Sequence, residues 1–164
     1  MTELPMFVMK REFDAPRELV WPTWTEPELL GHWYGPGVET VVHKLAVRVG
    51  GAWLNEMKMG ERSGYQRCDY TEVVKPERLV MLMSTTDADW NLAANPMMPD
   101  WPRVLLTTVT FEDAGSKTKM WLEWSPHEAT DAEIACFVGV VENLGKGWGA
   151  GMVMLEEMLA DLQA

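Results

Sequence analysis

The chain has 164 residues, 47% of them hydrophobic and 24% charged, which is the composition of an ordinary globular protein. Its net charge of −11, from 25 acids against 14 bases, argues against nucleic acid or an anionic membrane surface as a partner, because both select basic patches. No apolar run reaches the roughly 20 residues of a bilayer span, and Met1–Pro5 shows no basic stretch leading into an apolar core, so a cytoplasmic protein without membrane insertion is expected.

At this length one domain over 1–164 is the simplest organisation, able to bury about two-thirds of its unfolded surface. Cys68 and Cys136 form no CxxC pair and sit in apolar patterns, where a free thiol behaves as a small hydrophobe. Nine Trp and thirteen Met suit either a roomy, deformable interior or a Met-rich core.

Phe7–Phe13 alternates as a strand, with Phe7, Met9, Arg11 and Phe13 on one side. Asp14-Ala15-Pro16 starts a short helix that Pro22 is expected to end at Trp21. Thr25 with Glu28 predicts a capping box for a second short helix stopped by Gly31, and His32–Gly37 is its turn-rich exit. Strands are expected over 38–47, 52–59, 65–74, 78–84, 104–111 and 118–124, with Gly50-Gly51 and the segment 60–64 as turns. On the strand 52–59, Trp53, Asn55, Met57 and Met59 share one face.

The segment 85–102, with Pro96, Pro99 and Pro102, is longer than most structureless connections and is expected to be functional or mobile. In the last segment Thr130 and Glu133 predict a capping box that opens a helix reaching Leu162. Its apolar stripe is Ile134, Phe137, Val138, Val141, Leu144, Trp148, Met152, Leu155, Leu159 and Leu162. Glycines 139, 145, 147, 149 and 151 interrupt it at a cost of about 1 kcal/mol each, so they imply either a kink or room for close packing or a ligand. Gly147 and Gly151 flanking Trp148 favour a continuous helix with a bare patch there.

Consecutive strands joined by short turns form an antiparallel sheet with one buried face, and only the last helix is long enough to cover it. The expected class is α+β.

Several motifs carry a family resemblance over about residues 7–162. Ala15-Pro16 with Val20-Trp21 resembles an APxxxVW helix start. Thr25–Leu30 and Trp33–Pro36 resemble the T-x-P-x-x-L and W-x-x-P that follow, and Val49–Trp53 resembles a VGG-x-W hairpin. Tyr70–Val73 with Pro76–Val80 resembles Y-x-E-V…PERLV, and Gly147-Trp148 resembles the GW of the last helix. The family is the activator-of-heat-shock-protein-ATPase homologue (Aha-type) branch of the START-like, birch-pollen-allergen-like superfamily. The resemblance implies a helix-grip fold: a seven-stranded antiparallel sheet wrapped around a long C-terminal helix, two short helices after the first strand, and a cavity between sheet and helix. Cys68 departs from the Gly that many relatives place in that strand.

His32, His43 and His127 belong to no HExxH or Cys/His cluster, so no metal or other cofactor is expected, and no catalytic constellation is visible. The expected function is binding of a small hydrophobic or aromatic ligand. Trp53, Met57, Met81, Met83, Met120, Leu122 and Trp124 would line the sheet side of the cavity, with Trp148 and Met152 on the helix side. Trp33 and the segment 85–102 would close the mouth. Alternatively these side chains fill the space. Asn55 would be a lone polar group in this setting, needing either core hydrogen bonds or a ligand.

The resemblance also implies two other readings, a co-chaperone partner acting on a heat-shock ATPase and a cavity enzyme resembling polyketide cyclases. Trp121, in phase with Lys119 and Glu123 on the outer face, is compatible with a homodimer.

Overall fold

The structure, a computed structural model, describes residues 5–35 and 38–164, and the burial of residue 147 is outside the description. The end of the Trp33–Pro36 motif, the turn residue Gly37 and the expected bare patch at Gly147 therefore lie outside the described residues.

The elements are β1 (Phe7–Phe13), α1 (Arg17–Thr25), α2 (Pro27–Trp33), β2 (Glu39–Leu45), β3 (Ala52–Met59), β4 (Arg62–Val74), β5 (Arg78–Thr86), β6 (Val104–Ala114), β7 (Lys117–Pro126) and α3 (Asp131–Leu162). The seven strands make one antiparallel sheet in the order β1-β7-β6-β5-β4-β3-β2. This is the α+β helix-grip architecture. Strand alternation puts Trp53, Cys68, Met83 and Leu105 in adjacent registers on the inner face, and Met81, Thr107 and Trp124 in the next row.

Over that face runs α3, about 48 Å long at 1.5 Å per residue. Phe137, Met152, Leu155 and Leu159 are its buried anchors. Val138 and Leu162, expected in the stripe, stand 53% and 45% exposed. Val138 directly follows Phe137, and the 100° step between neighbours turns it off the sheet. At the edge strand, Arg11 pairs with the exposed Glu156 at 2.9 Å and ties β1 to α3. The glycines at 139, 145 and 149 face open space, and the helix runs through all of them without a break.

Three local expectations fail. Helix α1 continues through Pro22 to Thr25, because burial of Trp21 and Trp24 on either side outweighs one lost ladder bond. Thr25 makes no capping box; its hydroxyl donates back to the Trp21 carbonyl, and Glu26 takes the N-cap position of α2 without a side-chain bond. Gly31 lies inside α2, where it rests against Val42 and the Thr40 carbonyl of β2.

The hairpin glycines do act as turn formers. Gly50 has φ +82°, and a Cβ on Gly51 would collide with the Ala46 carbonyl. The turn after β3 is shorter than expected: Gly60, at φ +67°, and Glu61 close it, so β4 begins at Arg62.

The long-helix cap is the predicted one. Thr130 Oγ1 accepts from the Glu133 N–H at 3.1 Å, and the Glu133 carboxylate accepts from the Thr130 N–H at 3.2 Å and from the Arg103 N–H at 2.8 Å. Partial burial would raise the Glu133 pKa, but these hydrogen bonds outweigh it and hold the carboxyl below its usual range. Thr130→Ala is expected to destabilise the protein by about 1 kcal/mol in chemical denaturation. An unchanged midpoint would show that this cap contributes nothing.

Candidate functional site: a recess beside Trp148

The sheet side and the helix side meet in an aromatic cluster. Trp148 of α3 stacks on Trp24 (6.4 Å between centroids, 15° between planes) and takes Trp124 (5.3 Å) and Tyr34 (6.0 Å) edge-on. Tyr34 in turn packs edge-on against Trp53 at 4.9 Å. Such offset and T-shaped pairs contribute about 0.5–1.5 kcal/mol beyond their area burial, so Trp148 is held in place.

Beside it lies a recess of about 300 Å³, mostly apolar. Met57 and Trp124 wall the sheet side, Leu144 and Trp148 the helix side, and Tyr34 with Gly35 the end after α2. Gly151 forms part of the helix wall and Asn143 the rim, which is where the helix face lacks bulk. A second hollow of about 670 Å³ opens between the inner face of the β3–β4 hairpin and the segment after β5. Met57 stands in the walls of both.

Of the residues expected around a cavity, Met57, Trp124 and Trp148 line this recess. Trp53, Met81, Met83, Met120, Leu122 and Met152 are core side chains at 5% exposure or less and fill the space behind it. Trp33 does not sit at a mouth. It is 1% exposed, and its indole N–H donates to the Thr23 carbonyl at 2.8 Å, which fixes α2 on α1. Its neighbour Tyr34 faces the recess instead, because α2 ends at Trp33 and the chain turns extended.

Asn55 is fully buried, and among the described residues neither its Nδ2 nor its Oδ1 has a hydrogen-bond partner. Core hydrogen bonding, one expected outcome, is absent there. The indole nitrogens of Trp24, Trp53 and Trp124 are likewise buried without an acceptor. Leaving such a group unpaired costs about 1–3 kcal/mol, so this interior holds more donors than the protein itself satisfies.

Neither Tyr34 nor Tyr70 is an acid–base group near neutral pH. Burial pushes the Tyr34 hydroxyl far above its usual range and the nearby Cys68 adds to this; the hydroxyl donates to Gln66 Oε1 at 3.0 Å. Burial does the same to Tyr70 and to the Cys68 thiol.

The outer face of the same strands carries a polar cluster that the sequence reading missed. Glu56 accepts from Ser63 Oγ at 2.6 Å and meets His43 Nε2 at 2.9 Å. With the carboxylate in the middle, this is not a nucleophile–base–acid relay, which requires the imidazole between the other two. It ties β2, β3 and β4 together on that face. The Trp90 ring packs edge-on against His43 and Tyr65, each at 5.5 Å, and Arg67, paired with Asp69 at 3.0 Å, donates to the Trp90 carbonyl at 2.9 Å. Trp90 adopts the left-handed conformation (φ +67°) to reach this place. Of the segment 85–102, expected to be functional or mobile, the first two residues extend β5 and the rest is fastened to the outer face at Trp90; its Asn95–Met97 stretch forms one wall of the larger hollow.

Residues 14–160 match the family described as activator of Hsp90 ATPase homolog 1-like protein. The chain belongs to that family. No curated protein matches the sequence. Solved structures share the fold at low identity. A Mycobacterium smegmatis protein is 19% identical, with 96% of each chain covered and a TM-score of 0.76. One from Arthrobacter aurescens is 20% identical, covering 95% of this chain and 86% of that one, at 0.78. A Nitrosomonas europaea protein is 24% identical over 98% and 99% of the two chains, at 0.72. No helix among the described residues is long and apolar enough to cross a membrane.

Two outcomes follow from these observations. Asn55→Val removes the unpartnered amide and keeps a β-branched residue in the strand, so thermal unfolding should shift upward, by about 1–3 kcal/mol at most. A downward shift would mean that the amide is paired. The Ser63 and His43 contacts hold Glu56 below the usual carboxylate range. Its contribution is therefore complete above the unfolded-state pKa and is lost as pH falls through the lower folded value. Glu56→Gln should melt earlier than wild type at pH 7, with the gap closing in acid; a gap independent of pH would contradict this.

Proposed function

We propose that this protein binds a small apolar or aromatic molecule in the recess beside Trp148, without turning it over, in the cytoplasm. The observation that carries the proposal is a mostly apolar space of about 300 Å³ between α3 and the sheet, framed by Tyr34, Trp124 and Trp148. It lies at the small end of the usual range of about 300–1,000 Å³ for ligand pockets. Trp124, one of the wall residues, carries a buried indole N–H without an acceptor, a group that a bound molecule or ordered water would satisfy. Among the described residues its walls hold no carboxylate, histidine or cysteine, which supports binding over acid–base chemistry. Two cysteines without a disulfide are compatible with a reducing compartment.

The family match favours a second reading, stimulation of a heat-shock ATPase through protein contact. Adding the protein to the chaperone and measuring ATP hydrolysis separates the two: a rate increase that survives loss of the recess would favour the second.

The neutral fluorophore N-phenyl-1-naphthylamine is the direct probe of the recess. Wild type should enhance its emission and quench in tryptophan fluorescence. Gly151→Leu, which fills the helix wall, should abolish both effects while the circular dichroism and melting point persist. Gly151→Ala should weaken binding less. Full binding by a folded Gly151→Leu protein would refute the location.

A further inference from the structure

The 670 Å³ hollow that shares Met57 with the recess has walls rich in methionine: Met57, Met59 and Met97, the last two 48% and 71% exposed. It also contains an arginine without a carboxylate partner among the described residues. Arg11, Arg17, Arg67 and Arg78 each hold a carboxylate at 2.9, 3.8, 3.0 and 3.3 Å. Arg62, like Arg48 and Arg103, holds none among the described residues, although the chain carries an excess of acids; of these three it alone stands in the walls of the hollow. Its guanidinium donates instead to the Met97 sulfur at 3.4 Å, a weak acceptor. Asp87, the acid in the same walls, is turned into its own segment, where Oδ1 accepts from the Asp89 and Asn91 N–H groups.

We infer that the two hollows form one site for a single-chain amphiphile with a carboxylate head, the head on Arg62 and the chain crossing Met59 and Met57 into the recess beside Trp148. The inference rests on the binding function proposed above and names its ligand class. The register supplies the path. Arg62 pairs with Met59, and Gly64 pairs with Met57, two residues or about 7 Å further along the strand. Gly64 has no side chain of its own, and a Cβ there would meet only the Met59 methyl at 3.5 Å, so a single flexible side chain covers the floor between the two hollows. Flexible methionines suit a chain of variable shape.

A planar carboxylate matches a lone guanidinium in geometry and in charge, whereas a phosphate dianion would call for a second cation. The net charge of −11 does not forbid this anion. Charges beyond about 8–10 Å are screened at physiological salt, and Arg62 is the cation inside that radius in the hollow's walls.

The test is a tryptophan-fluorescence titration with dodecanoate and with its methyl ester, which differ in charge and hardly in shape. Wild type should prefer the acid by about fivefold, the upper end for a solvent-exposed ion pair. Arg62→Gln should bind both at the affinity wild type has for the ester, with an unchanged melting point. Gly151→Leu should lose both ligands. Equal affinities in wild type, or a preference undiminished in Arg62→Gln, would overturn the role of Arg62 and leave the recess standing. Failure of wild type to bind either compound, or the fluorophore, would overturn both readings.

Discussion

The fold depends on how α3 is seated on the concave face of the sheet. A sheet with one apolar face must be covered, and here a single helix covers it from its capped start at Thr130 to the Arg11–Glu156 pair at the edge strand. Phe137, Met152, Leu155 and Leu159 fill the contact completely, but the middle of the helix does not. There the contact is made by one large side chain, Trp148, clamped among Trp24, Tyr34 and Trp124, while Leu144 and Gly151 leave space beside it. Closing that space with larger residues would add dispersion contacts and apolar burial. Keeping it open, with buried amide and indole groups unpaired nearby, carries a stability cost of the kind found at functional sites.

The inner and outer faces of the β3–β4–β5 region divide the work. Outside, charge and aromatic contacts fasten Trp90 and so fix the segment after β5. Inside, the same segment brings Met97 opposite Met59 and Arg62. A polar cluster on one face thereby shapes an apolar wall on the other. Family membership does not select among functions, because one fold hosts many, and the solved relatives are similar in fold alone.

Much of this was legible in the chain. Period-two alternation marks strands such as β1 and β3, and three-and-four spacing with the Thr130–Glu133 box marks α3, because those signals come from burial on one face. The failures have specific causes. Pro22 and the Thr25–Glu28 pair are local signals, and burial of Trp21 and Trp24 overrides them. Two adjacent aromatics, Trp33 and Tyr34, could not be told apart, since which of them faces the recess depends on where α2 ends. Alternation places Asn55 on the inner face, but no pattern reveals that its amide lacks a partner. Arg62 looked like a turn residue because Gly60 and Gly64 bracket it; the tight turn at Gly60-Glu61 puts it in the strand, facing inward. The Glu56 cluster joins three strands and so has no spacing to detect.

Whether the space beside Trp148 receives a ligand is decided most directly by the indole N–H signals in a ¹⁵N-correlated spectrum. The nine tryptophans report separately, and Trp90 and Trp121 lie on the outer face as internal controls. On titration with N-phenyl-1-naphthylamine, the Trp124 and Trp148 signals should move together and saturate while Trp90 and Trp121 stay in place. Shifts confined to Trp90 or Trp121, or no saturable shift at Trp148, would contradict the account.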